Sequence, residues 1–330
     1  MLRMNRGRSA GESAPGPYRA LVAIRGMFGG TLVAGILMFA CGCDKPVVGA
    51  PVARPTSLAG TPRALFLLFG DRADVRALPF ATVIGTRVTP ITLDSAGWHQ
   101  FDRLYFPPGA SLGVYRDGVP IAAGSVRRGM WSDDGPLYKL PGCRALRPLA
   151  AVAMPSDPRV PLTVELLATS APLPAAPPRR ATTPADIDSA RAFAARAAQR
   201  AGLTRGARDE LDLVALAVQT GATDRPTLVV SYVEKGGGGG DHPRHLFALA
   251  DIGVDGYAST FAHSASDSAP EFRRLIDHLD LTGDGIDELL LEGWRQGSES
   301  YLMVLQFVGG RWHEIARGTS SWCVDRNRQR

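Results

Sequence analysis

The stretch YLMVLQFVGGRWHEIA, Tyr301–Ala316, decides how the C-terminal half of this chain is read. Side chains of an extended chain alternate between two faces, so Tyr301, Met303, Leu305 and Phe307 share one face. Gly309-Gly310 supplies a two-residue hairpin turn, and Trp312–Ala316 returns as the partner strand. Working backwards, the same reading predicts strands at Leu211–Gln219, Thr227–Glu234, His245–Ala250, Tyr257–His263 and Leu289–Trp294. Together they form an antiparallel meander. Glu271–Asp280 reads two ways: Phe272, Leu275, Ile276 and Leu279 fit a helix, but a strand leading into the acidic residues beyond fits too. A helix opens this half, with Thr183 as N-cap, Pro184 at its first position and Asp186 in its first turn. Ile187, Ala190, Ala194, Ala197 and Ala201 give it an apolar stripe, and Gly202 ends it.

Upstream, short apolar or alternating runs predict further strands: Ala64–Phe69, Ala81–Ile84, Arg87–Thr92, Arg103–Phe106, Leu112–Tyr115 and Val160–Leu167. Turn signals separate them, among them Gly70-Asp71, Pro107-Pro108-Gly109 and Asp117-Gly118. Many short strands at close spacing imply a sandwich or a barrel. The fold class is therefore mainly β with some α: a β domain at 63–170, then an α+β domain with an antiparallel meander at 184–330. The segment 171–183, APLPAAPPRRATT, is a Pro-rich linker between them, extended because its prolines cannot pack as helix or strand.

The first 43 residues read as a leader. Arg3, Arg6, Arg8, Arg19 and Arg25 precede the apolar run Met27–Ala40, which stops at Cys41-Gly42-Cys43. That run suits a secretory signal core of about 7–15 residues and falls short of the roughly 20 that span a membrane. Residues 44–62, rich in Pro, Ala and Gly, read as a tether. Ala40 before Cys41 and Gly42 before Cys43 make this stretch similar to the lipobox of bacterial lipoproteins. The resemblance implies export to the cell envelope and a lipid on Cys41 or, as second choice, Cys43. A plain cleaved signal and an uncleaved anchor helix are the competing readings. In an oxidising compartment Cys143 and Cys323 are the natural disulfide pair, with two buried thiols as the alternative. The leader also carries the charge. Residues 1–40 hold five Arg and one Glu (5 − 1 = +4), against +5 for the whole chain, so about +1 remains for residues 41–330. A nearly neutral remainder argues against a nucleic-acid partner, which needs a clustered basic face.

The sharpest candidate site is Asp280-Leu-Thr282-Gly-Asp284-Gly285-Ile286-Asp287-Glu288. Oxygen-bearing side chains at alternate loop positions can converge on a hard cation such as calcium. Asp280, Thr282 and Asp284 hold positions one, three and five, the Ile286 carbonyl offers the seventh and Glu288 closes the loop at the ninth. An EF-hand would close at the twelfth, where Leu291 stands, and would continue as a helix rather than Leu289-Leu290-Leu291. The loop resembles those of FG-GAP and VCBS-type repeats, the calcium-bearing units of integrin-like β-propellers. That resemblance implies structural calcium on a loop between two strands. Thr282 departs from the usual Asp or Asn and removes one charge. A fainter copy, Asp251-Ile-Gly253-Val-Asp255-Gly256, lies 29 residues earlier (280 − 251) and reads as a hairpin turn.

Two other constellations are weaker. Gly109-Ala-Ser111-Leu-Gly113 has the spacing of a hydrolase nucleophile elbow but lacks a following helix. Asp241, His242 and His245 follow a glycine run and could hold a metal, or simply be solvated. The resulting expectation is an exported, membrane-tethered, non-enzymatic binding or envelope-associated lipoprotein, with a protein or glycan partner the sequence does not identify. The alternative is a periplasmic hydrolase whose acids and histidines meet only in the fold.

Overall fold

The structure is a computed structural model that describes residues 61–131, 149–174, 176–234, 245–265, 271–295 and 300–318. All lie in one unit of the chain, Pro55–Arg330. The cysteines Cys41, Cys43, Cys143 and Cys323, and the pair Asp241 and His242, fall outside the described residues. Among those described, no helix is long and apolar enough to cross a membrane.

The N-terminal part contains β1 (Arg63–Asp71), β2 (Asp74–Ile84), β3 (Arg87–Pro90), α1 (Ser95–Tyr105), β4 (Ser111–Arg116), β5 (Val119–Arg128), β6 (Ala150–Ala153) and β7 (Thr163–Thr169). Its strands follow the order β1-β7-β4-β5-β6-β2-β3, and β1 also pairs with β2. That last pairing closes six strands into a barrel, with β3 as an extension of β2. The open sandwich-or-barrel choice is thus a barrel. Ala64, Phe66 and Leu68 of β1 point to its interior, where Phe66 meets Phe106 at a ring-centroid distance of 5.0 Å. Leu65 and Leu67 point outward into a second core. A strand buried on both faces has no polar side, and Ala64–Phe69 reads accordingly as an unbroken apolar run.

Residues 103–106 are not a strand. They end α1 and its cap, because Asp94 accepts the Gly97 N–H at 2.7 Å as N-cap. Trp98, Phe101 and Tyr105 then fall on one helical face, with Phe101 and Tyr105 in the barrel core and Trp98 against it.

The C-terminal part contains α2 (Pro184–Arg200), α3 (Arg205–Asp209), β8 (Leu211–Val218), β9 (Thr227–Glu234), β10 (His245–Gly253), β11 (Gly256–Ala265), β12 (Glu271–Leu279), β13 (Glu288–Arg295), β14 (Ser300–Val308) and β15 (Arg311–Gly318). It forms two antiparallel meanders, β11-β10-β9-β8 and β12-β13-β14-β15. At the start of α2, Thr183 and Asp186 make a reciprocal capping box. Ala190, Phe193, Ala194, Ala197 and Ala198 pack on the first meander, while Ala201 is exposed beyond the last turn.

The ambiguous segment is a strand with a bulge between Leu275 and Asp277. An extra residue shifts the period-two pattern by one, which imitates helical spacing across Phe272, Leu275, Ile276 and Leu279. Phe272 stacks on Trp294 of the neighbouring strand at 5.4 Å, with 11° between the rings.

The layers stack in a fixed sequence. Leu290, Leu302 and Val304 face the outer wall of the barrel, against Leu65, Leu67, Leu78 and Leu167. Leu289, Leu291, Met303 and Leu305 face the other way, against Val229, Phe247 and Leu249 of the first meander. The β12–β15 sheet is therefore the middle layer. Burying a Leu side chain stabilises by roughly 1.5–3 kcal/mol, and this sheet does so on both faces.

Candidate functional site

The acidic loop joins β12 to β13, and in this structure its carboxylates are engaged by the loop itself. Asp280 accepts the Gly283 N–H at 2.6 Å through Oδ1 and the Gly285 N–H at 3.0 Å through Oδ2. Asp284, exposed, accepts the Ile286 N–H at 2.9 Å. Glu288 is buried, and accepts the Leu281 N–H at 2.8 Å, the Thr282 hydroxyl at 3.0 Å and the Gln306 amide at 3.1 Å. Burial pushes the Glu288 carboxyl up to about 7, and the charges of Asp284 and Asp280 add to the effect. Asp280, Asp284 and Glu288 do not form a group of ligand atoms within 4.8 Å of one another.

The residue between them anchors a different cluster. Asp287 is fully buried, and its backbone N–H donates to the Thr220 carbonyl at 2.7 Å. Its carboxylate receives both terminal nitrogens of Arg179, with Nη2 at 2.7 Å from Oδ1, and His278 Nδ1 at 2.6 Å from Oδ2. Arg179 also donates to the carbonyls of Gln219 and Gly285. The fork geometry of a guanidinium suits such a bidentate pair. The Pro-rich segment, the β8–β9 loop and the β12–β13 loop are thus drawn to one carboxylate.

The barrel reaches the same point through its β4–β5 hairpin. Asp117 and Gly118 have φ of 51° and 75°, the left-handed conformations that a two-residue type I′ turn requires. The Asp117 N–H donates to Asp277 Oδ1 at 2.9 Å. A Cβ on Gly118 would stand 2.7 Å from Asp287 Oδ2 and 2.9 Å from His278 Cε1, so this contact demands glycine. Burial pushes Asp277 up to about 6; His278 opposes the shift, the Asp117 charge adds to it and the Asp117 N–H opposes it. Asp117, Asp277 and His278 bring ligand atoms within 4.8 Å of one another. Asp117, Gly118 and His278 line a groove of about 490 Å³, together with Val119, Pro177 and Arg179. Only the Asp-Gly turn had a signal in the sequence. The other members are scattered from 179 to 287 and look ordinary where they stand.

The remaining candidates have structural roles. Ser111 is exposed at the start of β4, with a strand and not a helix after it. Asp251 is buried and accepts from Thr227 at 2.6 Å, from Thr260 and from Trp312 Nε1 at 2.8 Å, which ties the two meanders together. The residues after it, Val254 and Asp255, are the tip of the β10–β11 hairpin, as the turn reading expected. His245 is buried, and its Nε2 accepts the Arg273 N–H at 2.9 Å. No family model, curated protein or solved structure matches this chain.

His245 carries a pH signature. Burial, helped by the neighbouring His263, pushes its pKa from 6.5 down to about 3. The folded state thus favours neutral imidazole. This contribution is whole above pH about 6.5 and is lost as pH falls toward 3. Asp277 and Glu288, raised in the fold, act in the opposite sense: their contribution is present in acid and lost as pH rises through about 6 and about 7. Comparison with His245→Gln isolates the histidine. The stability advantage of wild type over this variant, measured by urea unfolding, should shrink steadily from pH 7 to pH 4. A constant gap would contradict the assignment.

Proposed function

We propose that this protein is a lipid-anchored, non-enzymatic binding module of the bacterial cell envelope, presenting the groove between the barrel and the C-terminal sheets to a ligand. The groove carries the reading. At about 490 Å³ it lies within the range of small-ligand sites. It is built by four chain segments that meet only in the fold: the β4–β5 hairpin, the 176–182 segment, the end of β8 and the end of β12. Its most reactive-looking groups are already committed to one another, Arg179 and His278 to Asp287. The leader and tether supply the anchor.

One observation favours the hydrolase alternative. A His–Asp pair in a groove wall is half of a general-base arrangement. Among the described groove residues the hydroxyl at hand is Thr182, which donates to the Ala217 carbonyl at 3.2 Å. Turnover of chromogenic ester, phosphoester or peptide substrates that disappears in His278→Ala would replace the binding reading with this one.

The anchor is tested in cells. The full chain, expressed in a bacterial host, should sediment with membranes, resist extraction by salt and take up an alkyne-tagged fatty acid. Cys41→Ser with Cys43→Ser should abolish the label. Unlabelled, soluble protein with an intact N-terminus would overturn the reading.

Calcium on Asp280–Glu288 belongs to the same proposal, in a structural role. It is supported by the alternate oxygen-bearing positions Asp280, Thr282 and Asp284 and by the direct exit of the loop into β13 at Glu288. An ion binding only the folded state raises apparent stability by mass action. With Thr282 at the third position the affinity should be about 10⁻⁴–10⁻³ M, the range of extracellular modules. Millimolar calcium should therefore raise the unfolding temperature relative to chelator in wild type and not in Asp284→Ala. No shift in wild type would leave the loop a self-bonded acidic turn.

A further inference from the structure

We propose that Asp117, Asp277 and His278 form a site for a divalent transition-metal ion of the zinc type, with Asp287 orienting the histidine from behind. This site is separate from the acidic loop and does not depend on the envelope reading.

Three observations lead here. The ligand atoms of the three residues already lie within 4.8 Å of one another, although they come from the barrel hairpin and from β12. Asp287 holds His278 Nδ1 at 2.6 Å, so in this proposal the ring would meet the ion through Nε2. A carboxylate behind a ligating histidine is the usual outer-shell partner at metal centres, where it sets the tautomer and the ring orientation. The His278 side chain is only 6% exposed, lines the groove, and makes no other side-chain hydrogen bond among the described residues.

The carboxylates fit the same picture. Asp277 Oδ1 takes two backbone N–H groups, from Asp117 at 2.9 Å and from His278 at 2.7 Å. Asp117 is exposed, so an ion there would have one side open to water, as in zinc sites with three protein ligands. The surrounding charges are Asp117, Asp277 and Asp287 against Arg179 and the exposed Arg116, which lies 3.7 Å from Asp117, while Arg180 of the same groove is paired with Asp186. That balance favours a cation. The imidazole decides its class: calcium and magnesium take oxygen ligands, whereas mixed nitrogen and carboxylate sets suit zinc and its neighbours. Bound there, the ion would pin the barrel hairpin to the middle sheet.

The test is calorimetric titration of zinc chloride into the full chain, tag-free, stripped with chelator and held in mild detergent. Asp117→Asn is the key variant, because its side chain is exposed, Asn tolerates the left-handed turn, and the backbone N–H to Asp277 is kept. Wild type should bind one zinc ion per chain. Asp117→Asn should weaken that binding by about tenfold or more, His278→Gln should do the same, and Asp284→Ala should leave it unchanged. Unfolding temperatures in chelator check that each variant is folded, and if His278→Gln is not, Asp117→Asn decides alone. Absence of stoichiometric zinc, or equal binding by wild type and folded Asp117→Asn, would overturn the site and leave His278 a structural partner of Asp287.

Discussion

The Asp287 carboxylate is the point on which the arrangement of this molecule depends. It has no exposure to water, so its charge must be met by protein groups. Arg179 meets it from the Pro-rich segment and His278 from β12. The same guanidinium draws in the carbonyls of Gln219 and Gly285. One buried charge thereby sets the path of a segment that has no helix or strand of its own. Gly221, with φ of 81°, shares the constraint: a Cβ there would lie 2.6 Å from the Gly285 carbonyl oxygen.

A second ionic contact fastens the layers at another point. Arg274 of β12 donates to Glu292 of β13 at 2.8 Å and to Glu165 of β7 at 2.9 Å. It links the barrel wall to the middle sheet beside the apolar contact of Leu65 and Leu67 with Leu290 and Leu302. Apolar burial supplies most of the attraction between these layers. The charged contacts add geometric selection, since an Arg fork accepts few orientations. The β4–β5 hairpin can then place Asp117 beside His278 reproducibly, and both functional proposals use that placement.

The C-terminal half was legible in the sequence because its strands are local, apolar and separated by glycine or acidic turns. Thr227–Glu234 is read with its observed bounds, and Thr183, Pro184 and Asp186 specify the start of α2. The N-terminal half was less so. β5, with Pro120 and three small residues near its middle, has too little apolar periodicity to be seen. α1 was hidden because Gly97 and several polar residues dilute its stripe, and only Asp94 announces it. Barrel closure depends on pairings between β1 and β7, β2 and β6, and β5 and β6, which no local pattern encodes. The site is non-local for the same reason. Asp287 looked like a loop position between two calcium ligands, and Arg179 like one of the two arginines of a linker. The Asp-Gly hairpin alone could be read in advance, though not what it touches.

The central claim is that the Asp287 clasp holds the barrel, the Pro-rich segment and the sheets in one cooperative structure. Urea unfolding of Arg179→Met, followed by far-ultraviolet circular dichroism and tryptophan fluorescence together, tests it most directly. Leaving a buried carboxylate without its partner should cost about 3–5 kcal/mol, with the two signals still changing in a single coincident transition. Arg179→Met combined with Asp287→Leu, which removes both charges, should recover part of that loss. Wild-type stability in Arg179→Met, or two separate transitions in the unaltered protein, would contradict the account.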